Sequence, residues 1–401
     1  SNNYSININC IIQKMESIPE YEEFFKQIKI NMWYSGIPYG HRKINFRFFA
    51  TYIPLLLMLV LEILFLVTKI SAENFLVLMQ LAPCTASGML ALLKTIAIVP
   101  KQMKIYDLTE RLGKLYQIIL KDKKKISLVK KDLVLGHSLN KYYFKLAVVL
   151  ITVYNFSTPC FIMYHFFTTS EVLYILPYAI LLPFSTDAWL PWTVVYVFSA
   201  TCGFICVMFY TMIDGLYFIL TSHVCANYRI ISDTIENLDS STMDSLANIV
   251  KEHQSILKLG EDLEDIFTVP NLVNVLVGSL AICALGFDIT TGSWEEMPGY
   301  ILFLLTILVQ LFMMSFFGEN IIRESKNVGD AAFLCKWFEM DEKSKKTILT
   351  IMIRAKKPQQ LTAYKLSIIG YANFTTIISN SWSYFNILRT VYTPPETTHS
   401  D

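Results

Sequence analysis

Residues 46–67 read FRFFATYIPLLLMLVLEILFLV, and across those 22 positions only Arg47 and Glu62 carry charge. About 20 apolar residues in an α-helix cover the hydrocarbon core of a bilayer, so the stretch predicts a membrane-spanning helix. Outward from it the pattern returns at 75–99, 142–167, 192–220, 272–287, 300–322 and 366–392. Composition agrees. Hydrophobic residues make up 53% of the chain, charged residues only 17%, and mean hydropathy is +0.42, outside the usual range of a soluble domain. The expectation is an all-α integral membrane protein with seven transmembrane helices.

Seven crossings put the termini on opposite faces, and Lys and Arg mark the cytoplasmic one. Lys14, Lys26, Lys29, Arg42 and Lys43 precede the first span; residues 100–140 hold ten basic residues, among them Lys123, Lys124, Lys125, Lys130 and Lys131; residues 323–360 hold nine. The connections 168–191 and 288–299 hold none, and the tail after Tyr392 carries only Glu396 and Asp401 as charges. The N-terminus is therefore expected in the cytoplasm and the C-terminus outside. That orientation is opposite to a G-protein-coupled receptor. Arg229, Lys251 and Lys258 lie among acids in the fourth-to-fifth connection, where the rule is weak because long loops obey it poorly.

No apolar h-region precedes the first span, so no cleavable signal is expected. Cys84, Cys160, Cys202, Cys206 and Cys283 fall inside apolar spans, with Cys225 and Cys335 near cytoplasmic ends, so disulfides are not expected. Cys202 and Cys206 share a helix face, but no His or acid accompanies them at ligand spacing, and no metal is expected. Sequons at Asn3, Asn155 and Asn373 fall in the cytosol or in membrane helices and read as coincidental.

The last span carries a polar stripe. Asn373, Thr376, Asn380, Ser383, Ile387 and Thr390 are spaced 3, 4, 3, 4 and 3 apart and share one helix face. Lipid would leave such groups unpaired, so the face looks at water, as a pore lining, or at another helix, as hydrogen-bonding glue. Between spans, residues 101–120 and 223–265 keep helical apolar spacing. The second of these breaks at Asp239-Ser240-Ser241-Thr242 and carries acid-rich faces with Asp233, Glu236, Asp239, Glu261, Asp262, Glu264 and Asp265. Acids disfavour an anionic membrane surface, so a cytoplasmic helical bundle is expected.

Enzyme chemistry is not expected: the chain has no phosphate loop, no His-Glu-x-x-His and no nucleophile elbow, and its six His residues are scattered. His253 reads as a packing or interface residue. Intramembrane charge is confined to Glu62, Lys94 and Asp214, with Lys365 and Arg389 near the ends of the last span. Lys94 and Asp214 are expected to snorkel at cytoplasmic ends. Glu62 has no evident partner.

The run Phe317-Gly318-Glu319, Glu324-Ser325, Ala331-Ala332-Phe333, Trp337, Lys357-Pro358, Leu361-Thr362-Ala363 and Ser383-Tyr384-Phe385-Asn386-Ile387-Leu388-Arg389-Thr390 resembles the insect odorant receptor family. His253-Gln254 with Ile256-Leu257, Leu263-Glu264, Phe267, Ile282-Cys283 and Phe287 is similar to that family's entry into its fifth helix. Pro183-Phe184 and Trp189-Leu190-Pro191-Trp192 are similar to its outer loop. The specific motifs cover about the last 150 residues.

The resemblance implies a subunit of a tetrameric, odorant-gated, non-selective cation channel in the plasma membrane of olfactory sensory neurons. Its parts would be a cytoplasmic segment (1–45), the first six spans with the ligand-binding bundle (46–322), a cytoplasmic anchor (323–365), a pore helix (366–392) and an extracellular tail (393–401). Ile387 and Val391 would form the gate and Thr390 the outer mouth, with Asn380 and Ser383 below the gate facing water or a neighbouring subunit. Asn386, Arg389 and Tyr392 depart from the co-receptor pattern, and the fourth-to-fifth connection is short, so the chain resembles a tuning receptor that assembles with the co-receptor. Arg389, offset by two from Ile387, would turn away from the lumen. The ligand, a small volatile lipophilic odorant, would sit between spans two, three, four and six. Candidates there are Met79, Gln80 and Pro83; Val153, Phe156 and Cys160; Tyr196, Ser199 and Gly203; and Tyr300, Phe303 and Leu304. No cofactor and no nucleic-acid partner are expected. A G-protein-coupled receptor or a secondary transporter are the alternatives; the charge distribution disfavours the first, and the lack of internal repeats the second.

Overall fold

The computed structural model describes residues 18–40, 43–69, 75–238, 245–292 and 297–391. Lys14, Arg42, the Asn3 sequon, the break at residues 239–242, Tyr392, Glu396 and Asp401 lie outside them. The described chain is helical nearly throughout: α1 (Tyr21–Ser35), α2 (Phe46–Thr68), α3 (Phe75–Ile98), α4 (Gln102–Ile119), α5 (Lys123–Thr169), α6 (Trp189–Glu236), α7 (Leu246–Thr291), α8 (Met297–Leu334), α9 (Glu342–Ala355) and α10 (Tyr371–Val391). A two-stranded hairpin, β1 (Thr362–Ala363) and β2 (Ser367–Ile368), precedes α10. Six helical segments among the described residues are long and apolar enough to cross a membrane. The expected seventh, α10, has 21 residues and a more polar composition.

Helices α5, α6 and α7 run 47, 48 and 46 residues. A bilayer needs about 20, so each continues roughly 35 Å or more beyond it at 1.5 Å per residue. These extensions, with α1, α4, the end of α8 and α9, form a second bundle at one end of the molecule. Helix α6 is the central pillar. Every residue from Phe209 to Thr221 is buried, as a helix apolar on all sides requires. Helix α2 lies at the rim, with Ile53, Leu57, Val60, Leu64 and Val67 exposed on its outer face, a surface that only lipid or another chain can cover.

The pillar carries a charge at its middle. Asp214 is 4% exposed and Lys94, on α3, is fully buried; Lys94 Nζ donates to Asp214 Oδ1 at 2.6 Å. The second carboxylate oxygen accepts from Tyr143 of α5 at 2.9 Å and from Gln310 of α8 at 2.7 Å. Asn274 of α7 donates to Asp214 Oδ1 at 3.5 Å and accepts from Gln310 at 3.3 Å. The expected snorkelling of these two charges therefore does not occur. Instead one ion pair is saturated by neutral donors from three further helices, the arrangement that makes a buried charge tolerable.

In the second bundle the acids of the fourth-to-fifth connection meet the bases of the second-to-third. Lys124 pairs with Asp233 at 2.8 Å, Arg111 with Asp262, and Lys104 with Asp265 at 2.6 Å. Arg229 bridges Asp132 and Glu324. His253 is buried between α7 and its neighbours; burial, with the Arg354 charge adding to it, holds its pKa down at about 4.

The hairpin corrects the expected start of the last span. Residues 366–369 are not helical: Ile369 N donates to Leu361 O at 2.8 Å, and Ser367 and Ile368 pair with Ala363 and Thr362. Glu264 of α7 holds the hairpin by accepting from Thr362 N at 2.7 Å and from its hydroxyl. Gly318 of α8 makes room for it, since a Cβ there would stand 2.4 Å from Ile369 O. Glu319 then accepts from Tyr371 N at 3.2 Å, satisfying one of the free donors that open α10.

Removing one partner of the central pair should cost about 3–5 kcal/mol, because it leaves an uncompensated buried charge. Lys94→Met or Asp214→Leu alone is expected to lower the melting temperature of the detergent-solubilised protein sharply, and the double variant to recover part of the loss. Acid should also weaken the second bundle through His253. The unfolded imidazole, with its ordinary pKa near 6.5, binds a proton before the folded one does at about 4. Stability therefore falls as pH drops from about 6.5 towards 4, and His253→Gln should flatten that slope in thermal unfolding.

Candidate functional site

A cavity of about 70 Å³ lies inside the membrane bundle, bounded by α2, α3, α5, α6, one side chain of α8 and the connection between α5 and α6. Its wall is mostly apolar. Leu55, Met58, Leu59 and Glu62, at helical spacing, bring one face of α2 to it; Leu150, Ile151 and Tyr154 come from α5; Cys202, Gly203, Cys206, Val207 and Tyr210 come from α6. The α5–α6 connection folds inward as a plug. Tyr178 and Ile180 are each 8% exposed. Tyr178 OH donates to Asn155 Oδ1 at 3.1 Å, Tyr154 OH donates to Pro177 O at 2.9 Å, and Trp192 Nε1 donates to Ile175 O at 2.7 Å. Gly203 lies under the Tyr178 phenol, where a Cβ would stand 2.3 Å from the hydroxyl oxygen.

A second, smaller cavity of about 30 Å³ lies deeper, and Ser87, Tyr210 and Phe303 line both. Its wall includes Asn274 and Gln310 of the central polar network. The two spaces and the ion pair thus stand in series along α6.

Of the twelve residues expected to bind ligand, Gly203 and Phe303 line the larger cavity. Val153, Phe156 and Cys160 are exposed on the outer face of α5, rotated away from Leu150, Ile151 and Tyr154. Met79 packs against Cys283, Phe287 and Phe385. Gln80 is half-buried and Pro83 is buried, its carbonyl accepting from Ser87 Oγ at 3.0 Å. Tyr196 donates to Asn155 O at 2.9 Å and stacks on Trp192, while Ser199, fully buried, donates to Tyr196 O. Tyr300 and Leu304 pack against the main core. The sequence reading does not place α2 or the α5–α6 connection at this cavity. The signals were Glu62, a carboxyl that cannot face lipid, and Tyr154-Asn155, polar groups that must turn inward within a span.

A second candidate surface is α10. Ile377, Ser381 and Phe385 are buried on α7 and its neighbours, with Ser381 Oγ donating to Ser279 O at 3.1 Å. The stripe residues Thr376, Asn380, Ser383, Ile387 and Thr390 all point away from the chain's own bundle, and Ile387 is 58% exposed. Thr376, Ser383 and Thr390 hydroxyls return to carbonyls of their own helix. Asn373 departs from the stripe: it is buried and accepts from Ser367 Oγ at 2.7 Å. Val391 closes the described helix. Apart from Asn373, then, the stripe is not glue within this chain.

A family model described as "7tm Odorant receptor" matches residues 74–382. Odorant receptor 67c of Drosophila melanogaster is 33% identical over 186 residues, 45% of this chain and about half (46%) of that protein. Putative odorant receptor 92a of the same organism is 24% identical over 348 residues, 82% of each chain. The solved structure of the insect olfactory receptor OR5 from Machilis hrabei in complex with eugenol superposes with a TM-score of 0.74 at 16% identity, covering 93% of this chain and all of that one. That likeness is one of fold.

The contact between Gly203 and Tyr178 is open to test. Gly203→Ala drives a methyl into the phenol and should cost about 1–3 kcal/mol by overpacking. Tyr178→Phe removes the opposing oxygen, so the double variant should lose less stability than the two single losses added. Melting temperatures of the four proteins measure the coupling.

Proposed function

The chain belongs to the odorant receptor family, and from that premise we propose that it is the odorant-binding subunit of a heterotetrameric, odorant-gated, non-selective cation channel formed with the insect odorant receptor co-receptor. The observation that carries the proposal is the outward stripe of α10. Five consecutive stripe positions, 376 to 390, face away from the rest of their chain; the Thr376, Ser383 and Thr390 hydroxyls donate to their own helix, and it is the Asn380 amide, with the free lone pairs of those hydroxyls, that favours water or a neighbouring subunit over lipid. Four such helices about a shared axis supply both. In that arrangement Ile387 and Val391 form stacked apolar rings that close by dewetting, Thr390 stands at the outer mouth, and Asn380 and Ser383 lie in the wet vestibule beneath. The basic residues of 100–140 and 323–360 support a cytoplasmic second bundle and N-terminus. There the exposed Phe333, Leu334, Phe338, Leu349 and Ile353 offer apolar surface for contact between subunits.

The cavity under the Tyr178 plug is the odorant site. Its apolar, aromatic and sulfur-bearing wall suits a small volatile molecule. Binding opens the pore by favouring the arrangement of helices in which the last ones stand apart. Localisation follows: the plasma membrane of olfactory sensory neurons, with cations as the permeant species.

Whole-cell recording with GTP omitted from the pipette tests the reading. Cells expressing this chain with an insect co-receptor should give fast cation current to members of a panel of volatile esters, alcohols, amines and terpenes, and cells expressing either chain alone should not give that response. A response that requires GTP, or that persists without the co-receptor, would overturn the proposal.

A further inference from the structure

Among the described residues Glu62 is the one acidic side chain on the wall of the larger cavity, and no Lys, Arg or His shares that wall. It is 7% exposed and lies beside Thr85 of α3, whose hydroxyl also reaches Leu81 O at 3.3 Å. A carboxyl group offers about four acceptor positions, so most of its capacity is open towards the cavity. Four of the other polar groups on that wall already have partners. Ser87 donates to Pro83 O, Cys206 to Ser87 O, Tyr154 to Pro177 O and Tyr178 to Asn155. Lys94, the basic residue buried in the membrane bundle, is taken by Asp214.

Carboxyl groups within a membrane bundle are costly and are held in place by partners. Among the described residues the Thr85 hydroxyl, shared with Leu81 O, is the group beside it, which leaves the carboxyl free to take donors from whatever fills the cavity. Its size is limiting as well. A space of about 70 Å³ favours a compact molecule.

We propose that Glu62 determines specificity by accepting N–H hydrogen bonds from a compact lipophilic primary amine, whose alkyl part lies against Leu55, Met58, Leu59 and Val207. An amine supplies several donors to one carboxyl and asks for no match from the hydroxyls of Ser87, Tyr154 and Tyr178, which already donate within the protein. An alcohol supplies one donor, and an ester or hydrocarbon none. Hydrogen bonds to charged groups separate ligands by roughly ten- to hundredfold in affinity.

This inference rests on the odorant reading of the cavity, and its test separates the two. The probes are 3-methylbutan-1-amine and 2-methylpentane, which differ by an amino group in place of a methyl, together with 3-methylbutyl acetate. With the co-receptor present, the amine should open the channel at roughly ten- to hundredfold lower concentration than the hydrocarbon, and Glu62→Gln should shrink that ratio to near unity. Thermal shift of the purified wild-type chain gives the same comparison without a variant: the amine should raise the melting temperature at concentrations where 2-methylpentane does not. Equal potency of amine and hydrocarbon, or an unchanged ratio in Glu62→Gln, overturns the role of Glu62 while leaving the odorant site standing on its response to the acetate. If none of the probes, nor any other volatile, either opens the channel or stabilises the protein, both readings fall together.

Discussion

The Lys94–Asp214 pair is the constraint on which the membrane bundle is built. An ion pair in a low-dielectric interior must be complete or it is ruinous, and here completeness draws Tyr143, Asn274 and Gln310 from three other helices. Five helices are thereby fixed in rotation and depth about one carboxylate. Apolar packing alone would tolerate small rotations of α3 or α8, because lipid is as apolar as the helix surfaces it would replace. A network with one correct geometry does not.

The same network floors the smaller cavity, and the smaller cavity shares Ser87, Tyr210 and Phe303 with the larger one. A molecule beneath the plug therefore presses on side chains whose other sides meet the polar network. Helix α7, which carries Asn274, also provides the surface on which Ser381 and Phe385 of α10 rest. Contact is continuous from the cavity wall to the last helix. Any change in ligand occupancy has a material route to α10, through packed groups with defined partners.

The membrane class and the count of helices were legible in the sequence because apolar length is a local property: 46–67 needs no neighbour to be read as a span. The polar stripe was legible for the same reason, since 3–4 spacing fixes a face. What could not be read locally is which way a face turns. Val153 and Tyr154 are adjacent in sequence yet end on opposite sides of α5, and only the position of α6 and the plug decides between them. Likewise Leu366 to Ile369 read as the beginning of a helix by hydropathy, but Gly318 and Glu264 supply a docking place for extended chain that outweighs helix formation. Lys94 and Asp214, 120 positions apart, became a pair only when α3 met α6.

The foot of α10 is pinned twice, by the hairpin strapped to Glu264 and by the Glu319 carboxylate at its first turn. Its upper part leans on a small patch formed by Cys283 and Phe287. A rod held in this way pivots instead of sliding. With Ile387 sixteen residues beyond Tyr371, the lever arm is about 24 Å at 1.5 Å per residue. A tilt of only about 5° carries its tip roughly 2 Å sideways over that arm. The hairpin is thus a fixed seat for the foot: angular play there would become lateral travel at the far end, resisted by the contacts of Ser381 and Phe385 with α7.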